Sequence, residues 1–528
     1  MPPILPSVRR PTSIHSRVFA PNRRLVPRRN LLTLAIETSC DDTAVAILER
    51  HDASSTTASQ PLATLHFNEK ITADNSAYRG VHPIVSLESH QQNLALLVRK
   101  ALHHLPDAQT TSTTGGSQTS ASAPITLRDT GTSKQRPDFV SVTRGPGMRS
   151  NLATGLDTAK GLATAWQIPL VGVHHMQAHA LTPRLVSALA PSLSPSPALT
   201  PSFPFLSLLV SGGHTLLLHS AGLTEHRILA STADIAVGDA IDKIARAVLP
   251  PEWLAGVKDT MYGALLERFA FPPSSSSSSS SPPPSPAATA EAAPPYAYTP
   301  AKLHRRPTRW GWSFAPPLSE FKGGSRAHAM EFSFSGLVSS AERIVKFRWD
   351  PDAPSGQRNT RVERAAGEPG EEERRDLARE AMRVAFEHLA GRAGMALQGP
   401  RGQDGGRAAG KPAPAAEAAA APLAGSGNAD ADGAAPTALV VAGGVAANAY
   451  LRHVLRAFLD ARGFAPLRLV FPPPALCTDN AAMIAWAGVE MFEAGWTSEM
   501  GVLPRRKWSL DSAAEDGGVL GVGGWVRR

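Results

Sequence analysis

His174-His175-Met176-Gln177-Ala178-His179 follows the apolar run 169–173, and His175 and His179 stand four residues apart. On a helix that spacing puts both imidazoles on one face, where they suit a single divalent ion. The same pair also suits helix capping or partly buried packing, and a bare H-x-x-x-H more often serves those ends. No Glu lies between them as in the H-E-x-x-H of zinc proteases, which argues against peptide hydrolysis. A third ligand has to come from elsewhere. Cys477-Thr478-Asp479-Asn480 follows Pro472-Pro473-Pro474 and opens the apolar run 481–489. Asp479 either caps that helix or, if two halves of the chain close, completes a His/His/Asp set with open positions for substrate.

A second chemistry is written in glycine. Ser211-Gly212-Gly213-His214 joins the apolar runs 205–210 and 215–219, Gly443-Gly444 follows 438–442, and Gly145-Pro146-Gly147 follows 138–143. Gly-rich turns between a strand and a helix let backbone N–H groups approach phosphate oxygens, and the helix N-terminus adds partial positive charge. One Gly-Gly is equally explained by a turn that needs positive φ. Three such turns, each directly after an apolar strand, point to nucleotide or phosphate binding.

These residues require a frame. Runs 31–36 and 43–48 read as strands around the polar turn 37–42, and 205–210 with 215–219 repeat that pattern. Each pair is followed by a strand, a Gly turn and a helix: 138–143 with a helix through Ala159-Lys160, then 438–442 with a helix from about Ala446. The repeat predicts a duplicated α/β unit, two lobes with their polar turns around one central ligand.

Five stretches, 107–136, 187–203, 271–308, 350–370 and 398–436, are too rich in Ser, Thr, Pro, Gly or Ala to bury a core, and read as disordered or low-complexity insertions. The expected organisation is a leader at 1–30, an N-terminal lobe at 31–186, a linker at 187–203, a C-terminal lobe with a helical insert at 204–495, and a tail at 496–528.

Charge narrows the class further. The chain of 528 residues carries a formal +8, yet residues 1–30 hold seven arginines and no acidic residue, so the leader supplies nearly all of the excess. An Arg-rich, Ser-containing, acid-free start matches a mitochondrial transit peptide rather than a nucleic-acid-binding face. Two cysteines, Cys40 and Cys477, exclude a disulfide framework or a cysteine-rich zinc module. No run approaches the roughly 18 apolar residues of a membrane-spanning helix.

The motifs together resemble one family. IETSCDDTAVAI (36–47), VTRGPGMRSNLATGLDTAKGLA (142–163), VHHMQAHAL (173–181), LLVSGGHTLL (208–217), DIAVGDAIDKIAR (234–246), FSFSGL (332–337), VAGGVAANAYLR (441–452) and CTDNAAMIAWAG (477–488) stand in the order of the tRNA threonylcarbamoyl-adenosine synthases, the TsaD family, in their mitochondrial form. The resemblance implies a duplicated actin/sugar-kinase-like (ASKHA) fold. It implies transfer of threonylcarbamoyl from threonylcarbamoyl-AMP to N6 of the adenosine 3′ of the anticodon, in tRNAs reading codons that begin with A.

By the same resemblance His175, His179 and Asp479 hold one divalent metal, zinc or iron. Leu209, Val210, Ser211, Gly212 and Gly213 face the adenylate, Asp242 holds ribose hydroxyls, and Gly263 leaves room for the nucleoside. Asn448, after Gly443-Gly444, and Glu267 reach it as well. Asp41 and His214 are the general-base candidates, with turn hydrogen bonding and packing as their structural alternatives. The sequence departs from the family at 81–90, VHPIVSLESH, where a PELASR-like run is common, and at Met261-Tyr262-Gly263-Ala264 in place of a YPGG-type segment.

The implied partners are tRNA and a second copy of the chain, in the mitochondrial matrix. The near-neutral remainder of the chain calls for a local patch to bind tRNA, and Arg305-Arg306 or Arg505-Arg506-Lys507 could supply it. The alternative reading is a metal-dependent glycoprotein endopeptidase, which needs a carboxylate base beside the histidines that Gln177-Ala178 does not supply. A sugar or acyl kinase would have no use for a His/His/Asp set, nor would a non-enzymatic scaffold.

Overall fold

The computed structural model describes residues 30–52, 60–78, 80–108, 123–191, 198–255, 262–272, 296–300, 306–319, 326–349, 361–398 and 436–528. The basic leader through residue 29 lies outside the described residues, as do Arg305 and much of the five low-complexity stretches.

Strand Leu31–Glu37 is buried along nearly its whole length, which requires cover on both faces. Its alternation shows where each face goes. Leu32, Leu34 and Ile36 point outward into a cluster with Leu94, Leu97 and Leu156, on helices Pro83–Leu102 and Arg149–Trp166. Ala35 points inward to a second cluster. The strand pairs antiparallel with Asp42–Arg50, which pairs antiparallel with Ala63–Thr72. On its other side it runs parallel to Phe139–Gly145, itself parallel to Leu170–His174.

The second sheet has the same plan. Phe205–Val210, Thr215–Ser220 and His226–Thr232 form an antiparallel meander. Phe205–Val210 runs parallel to Ala438–Ala442, itself parallel to Arg468–Val470. Leu206, Leu208 and Val210 face the outer helices, among them Val237–Val248, Glu371–Gln398 and Ala449–Asp460, while Phe205 and Leu209 face inward.

Between the sheets lie two helices, His175–Leu189 and Ala481–Glu493, and the inner faces of both sheets close on them. Ala481–Phe492 is buried at every position, as a helix covered on all sides must be. Arg184 joins the two helices: Nε donates to Glu490 Oε1 at 2.8 Å, Nη2 to Glu490 Oε2 at 3.0 Å, and Nη1 to the Pro201 carbonyl at 2.8 Å. Breaking a buried pair of this kind costs about 3–5 kcal/mol. The molecule is therefore a mixed α/β protein in five layers, helices outside, two sheets, and a two-helix layer at the centre.

Three sequence expectations change. Residues 496–528, set apart as a tail, return to the first sheet, where Trp496–Ser498 pairs with Leu170 and Trp525–Arg527 forms the edge. The stretch 107–136 holds a small hairpin, Ile125–Thr126 against Ser133–Lys134, and 350–370 holds Arg361–Glu363 paired to Phe347–Trp349. Strands this short are set by backbone pairing with a neighbour, which composition does not register. After Gly443 a short 3-10 turn, Gly444–Ala447, precedes the helix, which begins at Ala449 because Asn448 Oδ1 accepts from Leu451 N at 2.9 Å. Among the described residues no helix is long and apolar enough to cross a membrane.

Candidate metal centre

Strand Leu170–His174 ends at a histidine that starts the next helix. His174 Nδ1 accepts from Met176 N and Gln177 N at 3.2 and 3.4 Å, and its Nε2 lies 3.2 Å from the Trp508 carbonyl. Burial pushes its pKa down to about 3, so it stays neutral. With His174 used as the cap, His175 and His179 fall one turn apart on the same face, ring centroids 4.7 Å apart.

Asp479 comes from the far end of the chain. It is not the cap of its helix; Asn480 is, accepting from Met483 N at 3.0 Å. That leaves the Asp479 carboxylate for the imidazoles, with Oδ1 at 3.0 Å from His179 Nε2 and 3.5 Å from His175 Nε2. One ligand atom from each of the three residues lies within 4.8 Å of the others.

Behind His175 stands a residue outside the expected set. Glu37 is fully buried at the end of the first strand, and its Oε2 lies 3.2 Å from His175 Nδ1. It also accepts from Ser39 N at 2.5 Å and from the Thr143 hydroxyl. Burial pushes the Glu37 pKa up, but the imidazole beside it prevails and holds the carboxyl below its ordinary value. Burial likewise pushes His175 down, and Asp479 and Glu37 together raise it to about 9. Asp479 is held below the usual carboxylate range, its burial overcome by His175 and His179. The one signal for Glu37 in the sequence is an acidic residue closing a largely apolar strand.

This donor set fits a divalent cation. Glu37 fixes the ring of His175 through Nδ1 and leaves Nε2 pointing at Asp479, the arrangement in which a carboxylate orients a metal-ligating imidazole. His179 Nδ1 is buried with no partner among the described residues. Asp41 and Asp42 add negative charge nearby, and Lys70 Nζ is taken by Asp42 Oδ2 at 2.7 Å and Thr478 Oγ1 at 3.1 Å.

Two of the three glycine turns meet the same place, while Gly145-Pro146-Gly147 packs against Ser39 and Arg505. Ser211-Gly212-Gly213-His214 closes the inner hairpin of the second sheet. A Cβ added at Gly212 or Gly213 would meet nothing within 4 Å, so their backbone faces open space. His214 lies in the field of the metal set: burial, then His175 and His179, push it down to about 4. Gly443 has φ +99°, and a Cβ there would stand 2.4 Å from the Val210 carbonyl oxygen, so only glycine fits. Gly444 lies beside Thr478. The side chains of Leu209 and Val210 are buried in the core, which leaves only their backbone for a ligand. Asp41 sits on the facing turn of the first sheet, accepting from Asn75 Nδ2 at 3.3 Å, with its pKa raised by burial and by Asp42.

The remaining expected residues form a second group on the helices that cover the outer face of the second sheet. Asp242 Oδ1 accepts from Gly263 N at 2.8 Å, and burial raises its carboxyl to about 7. Glu267 Oε1 accepts from Ala449 N, Tyr450 N and the Tyr296 hydroxyl at 2.9–3.0 Å, so it caps the helix that Asn448 also caps. Among the described residues no hydrogen bond or ion pair links this group to the His/His/Asp set.

The chain is similar to known proteins. The sequence pattern of the TsaD family, described as tRNA N6-adenosine threonylcarbamoyltransferase, matches residues 124–281 and 292–486. The chain is 32% identical over 504 residues to the mitochondrial tRNA N6-adenosine threonylcarbamoyltransferase of Schizosaccharomyces pombe, covering 95% of this chain and 90% of that one. It is 32% identical over 487 residues to the tRNA N6-adenosine threonylcarbamoyltransferase of Cereibacter sphaeroides, covering 92% and 96%. Among solved structures, T. kodakarensis HypF aligns over 88% of this chain and 48% of its own, with 11% identity and a TM-score of 0.39. With the family pattern spanning well over half of the chain and relatives matched nearly end to end, the chain belongs to the TsaD family of tRNA N6-adenosine threonylcarbamoyltransferases.

Proposed function

We propose that the protein transfers threonylcarbamoyl from threonylcarbamoyl-AMP to N6 of the adenosine 3′ of the anticodon in mitochondrial tRNAs reading A-initial codons, releasing AMP. The observation that carries this reading is the His175/His179/Asp479 set, two buried imidazoles and a half-buried carboxylate, backed by Glu37 and facing the open Gly212-Gly213 turn. The basic leader and the mitochondrial relative support a mitochondrial matrix location. The shared plan of the two sheets supports the duplicated actin/sugar-kinase-like fold, and the working unit is proposed to be a homodimer.

In this reading His175, His179 and Asp479 hold one divalent ion, zinc or iron. When bound, that ion supplies Lewis acidity toward the carbamoyl carbonyl or the phosphate. Every other contribution belongs to the chain. Glu37 keeps the proton of His175 on Nδ1, and the Gly212 and Gly213 amides receive the adenylate phosphate as it leaves. Asp242 takes ribose hydroxyls, while Gly263, Glu267, Gly443, Gly444 and Asn448 form the wall on which the nucleoside lies.

The N6 amine attacks the carbamoyl carbon, the bond from that carbon to the phosphate oxygen breaks, and AMP leaves. The amine proton goes to Asp41 or His214, which approach from opposite sides of the centre. Because an adenosine amine is a poor nucleophile, positioning contributes as much as proton removal. The endopeptidase alternative gains nothing here, since Glu37 is fully buried and committed to His175, Ser39 and Thr143.

The test is direct. Purified, metal-loaded protein is incubated with threonylcarbamoyl-AMP and a mitochondrial tRNA reading an A-initial codon, and the digest is searched for threonylcarbamoyl-adenosine by mass spectrometry. Product from wild type and none from His175→Ala supports the reading. No product from folded, metal-loaded wild type overturns it.

A further inference from the structure

A cavity of about 530 Å³ opens beside the Gly145-Pro146-Gly147 turn, on the first sheet and away from the Gly212-Gly213 turn. Its wall carries Arg144, Arg149, Arg505, Arg506 and Lys507 against a single carboxylate, Glu499. Arg144 is only 4% exposed. Its Nε donates to the Leu503 carbonyl at 3.2 Å and its Nη2 to the Gly523 carbonyl at 2.8 Å, while Nη1 is buried with no partner among the described residues. Arg149, Arg505, Arg506 and Lys507 form no ion pair with any described residue. Burial and the charge of Arg505 lower the Arg144 pKa to about 10, and Glu499 on the same wall offsets them only in part.

The backbone holds this wall against the reaction centre. Arg505 N donates to the Arg144 carbonyl at 2.8 Å, Gly147 N to the Arg506 carbonyl at 3.3 Å, and Met148 N to the Ser39 carbonyl at 2.9 Å. Ser39 Oγ in turn lies 3.3 Å from His175 Nδ1. Trp508, next to the basic triplet, packs on the His174 ring at 4.6 Å. A polyanion lying on Arg506 and Lys507 is thus registered to the metal ligands through a few rigid links.

We infer that this cavity seats backbone phosphodiesters of the acceptor tRNA, fixing the anticodon arm while the target adenosine enters the cleft. The inference rests on the reading above that tRNA is the acceptor. The ligand it calls for is anionic and carries several acceptor oxygens, matching the fork of a buried guanidinium. A cavity of this size exceeds what one free phosphate fills, and the adenylate has its own turn on the other sheet. Two exposed cations, Arg506 and Lys507, continue the wall along the surface, as a strand of successive phosphates requires.

The double variant Arg506→Gln/Lys507→Gln alters exposed side chains, and Arg149→Gln does so on a separate helix. Binding of fluorescently labelled tRNA is titrated from about 50 to 200 mM salt, and KM is measured for both substrates. The double variant is expected to bind tRNA about tenfold more weakly at low salt. Its slope of log affinity against log salt should fall by about 0.7–0.9 for each phosphate no longer neutralised. Arg149→Gln should show a smaller change in the same direction, and KM for threonylcarbamoyl-AMP should stay at the wild-type value. Unchanged tRNA affinity and salt slope in both variants overturns the inference, as does a rise confined to KM for threonylcarbamoyl-AMP. Inorganic phosphate at millimolar level competing away tRNA at constant ionic strength would also overturn it, by showing a small-anion site. Wild type that binds tRNA with the expected slope but forms no product refutes the transferase reading and leaves this site standing.

Discussion

Replacing Glu37 by Gln keeps the side chain's size in a fully buried site and removes one charge. The carboxylate now accepts from Ser39 N and the Thr143 hydroxyl and faces His175 Nδ1 at 3.2 Å. An amide offers one accepting end and one donating end. If the oxygen stays on Ser39 N, the NH₂ group meets His175 Nδ1, which must then present a lone pair, and the ring proton moves to Nε2. Nε2 is the nitrogen that faces Asp479 at 3.5 Å, so the lone pair needed for a cation is gone. If the amide turns over, Ser39 N faces a donor instead, at a cost of about 1–3 kcal/mol.

Either outcome weakens metal binding by about 10–100-fold, the usual effect of losing a carboxylate behind a ligating imidazole, or about 1.4–2.8 kcal/mol. Competition for zinc against a chromogenic chelator measures this, with circular dichroism to show that the metal-free variant is folded. His179→Ala serves as the positive control. A Glu37→Gln protein whose zinc affinity stays within about threefold of wild type, where His179→Ala loses it, would refute the assigned role of Glu37.

Two further outcomes follow from the glycine turns, and a third from Asp242. Gly443→Ala forces a side chain into φ +99° against the Val210 carbonyl and should lower stability by at least about 3 kcal/mol in urea unfolding. Gly212→Ala meets nothing within 4 Å, so it should leave stability within about 0.5 kcal/mol while raising KM for threonylcarbamoyl-AMP. Asp242→Asn tests a trade between stability and function. The folded pKa of about 7 lies above the ordinary 3.8, so ionised Asp242 opposes folding above pH 7, and this penalty fades as pH falls toward 4. The variant should therefore be more stable than wild type at pH 8, by about 1–2 kcal/mol after allowing for partial solvent access. It should match wild type near pH 4 and transfer more slowly at both. Thermal melts at the two pH values check the sign, and equal gains at both would contradict it.

The sequence carried whatever depends on near neighbours. Alternating apolar runs are strands because a pleated backbone sends successive side chains to opposite faces, and Leu32, Ala35, Leu206 and Leu209 divide between clusters as that period requires. The spacing of His175 and His179 was legible for the same reason, since a helix fixes the angle between residues four apart. The eight motifs in order were enough to place the family.

Pairings across the chain were not legible. Asp479 meets His179 from 300 residues away, and only the packing of two helices between two sheets, joined by Arg184 and Glu490, brings them together. That Asn480 rather than Asp479 caps its helix turns on backbone angles no composition encodes. Glu37 gave only the weak signal of an acid closing an apolar strand, because its partners, His175 and Thr143, lie more than a hundred residues downstream. Residues 496–528 had the composition of a tail, yet their backbone pairs with the first sheet and sets Arg505, Arg506 and Lys507 beside Arg144. Local sequence determined the elements and the residues able to do chemistry. The choice of which of them act together was made by layer packing, through interactions whose free energy exists only once distant segments are buried against one another.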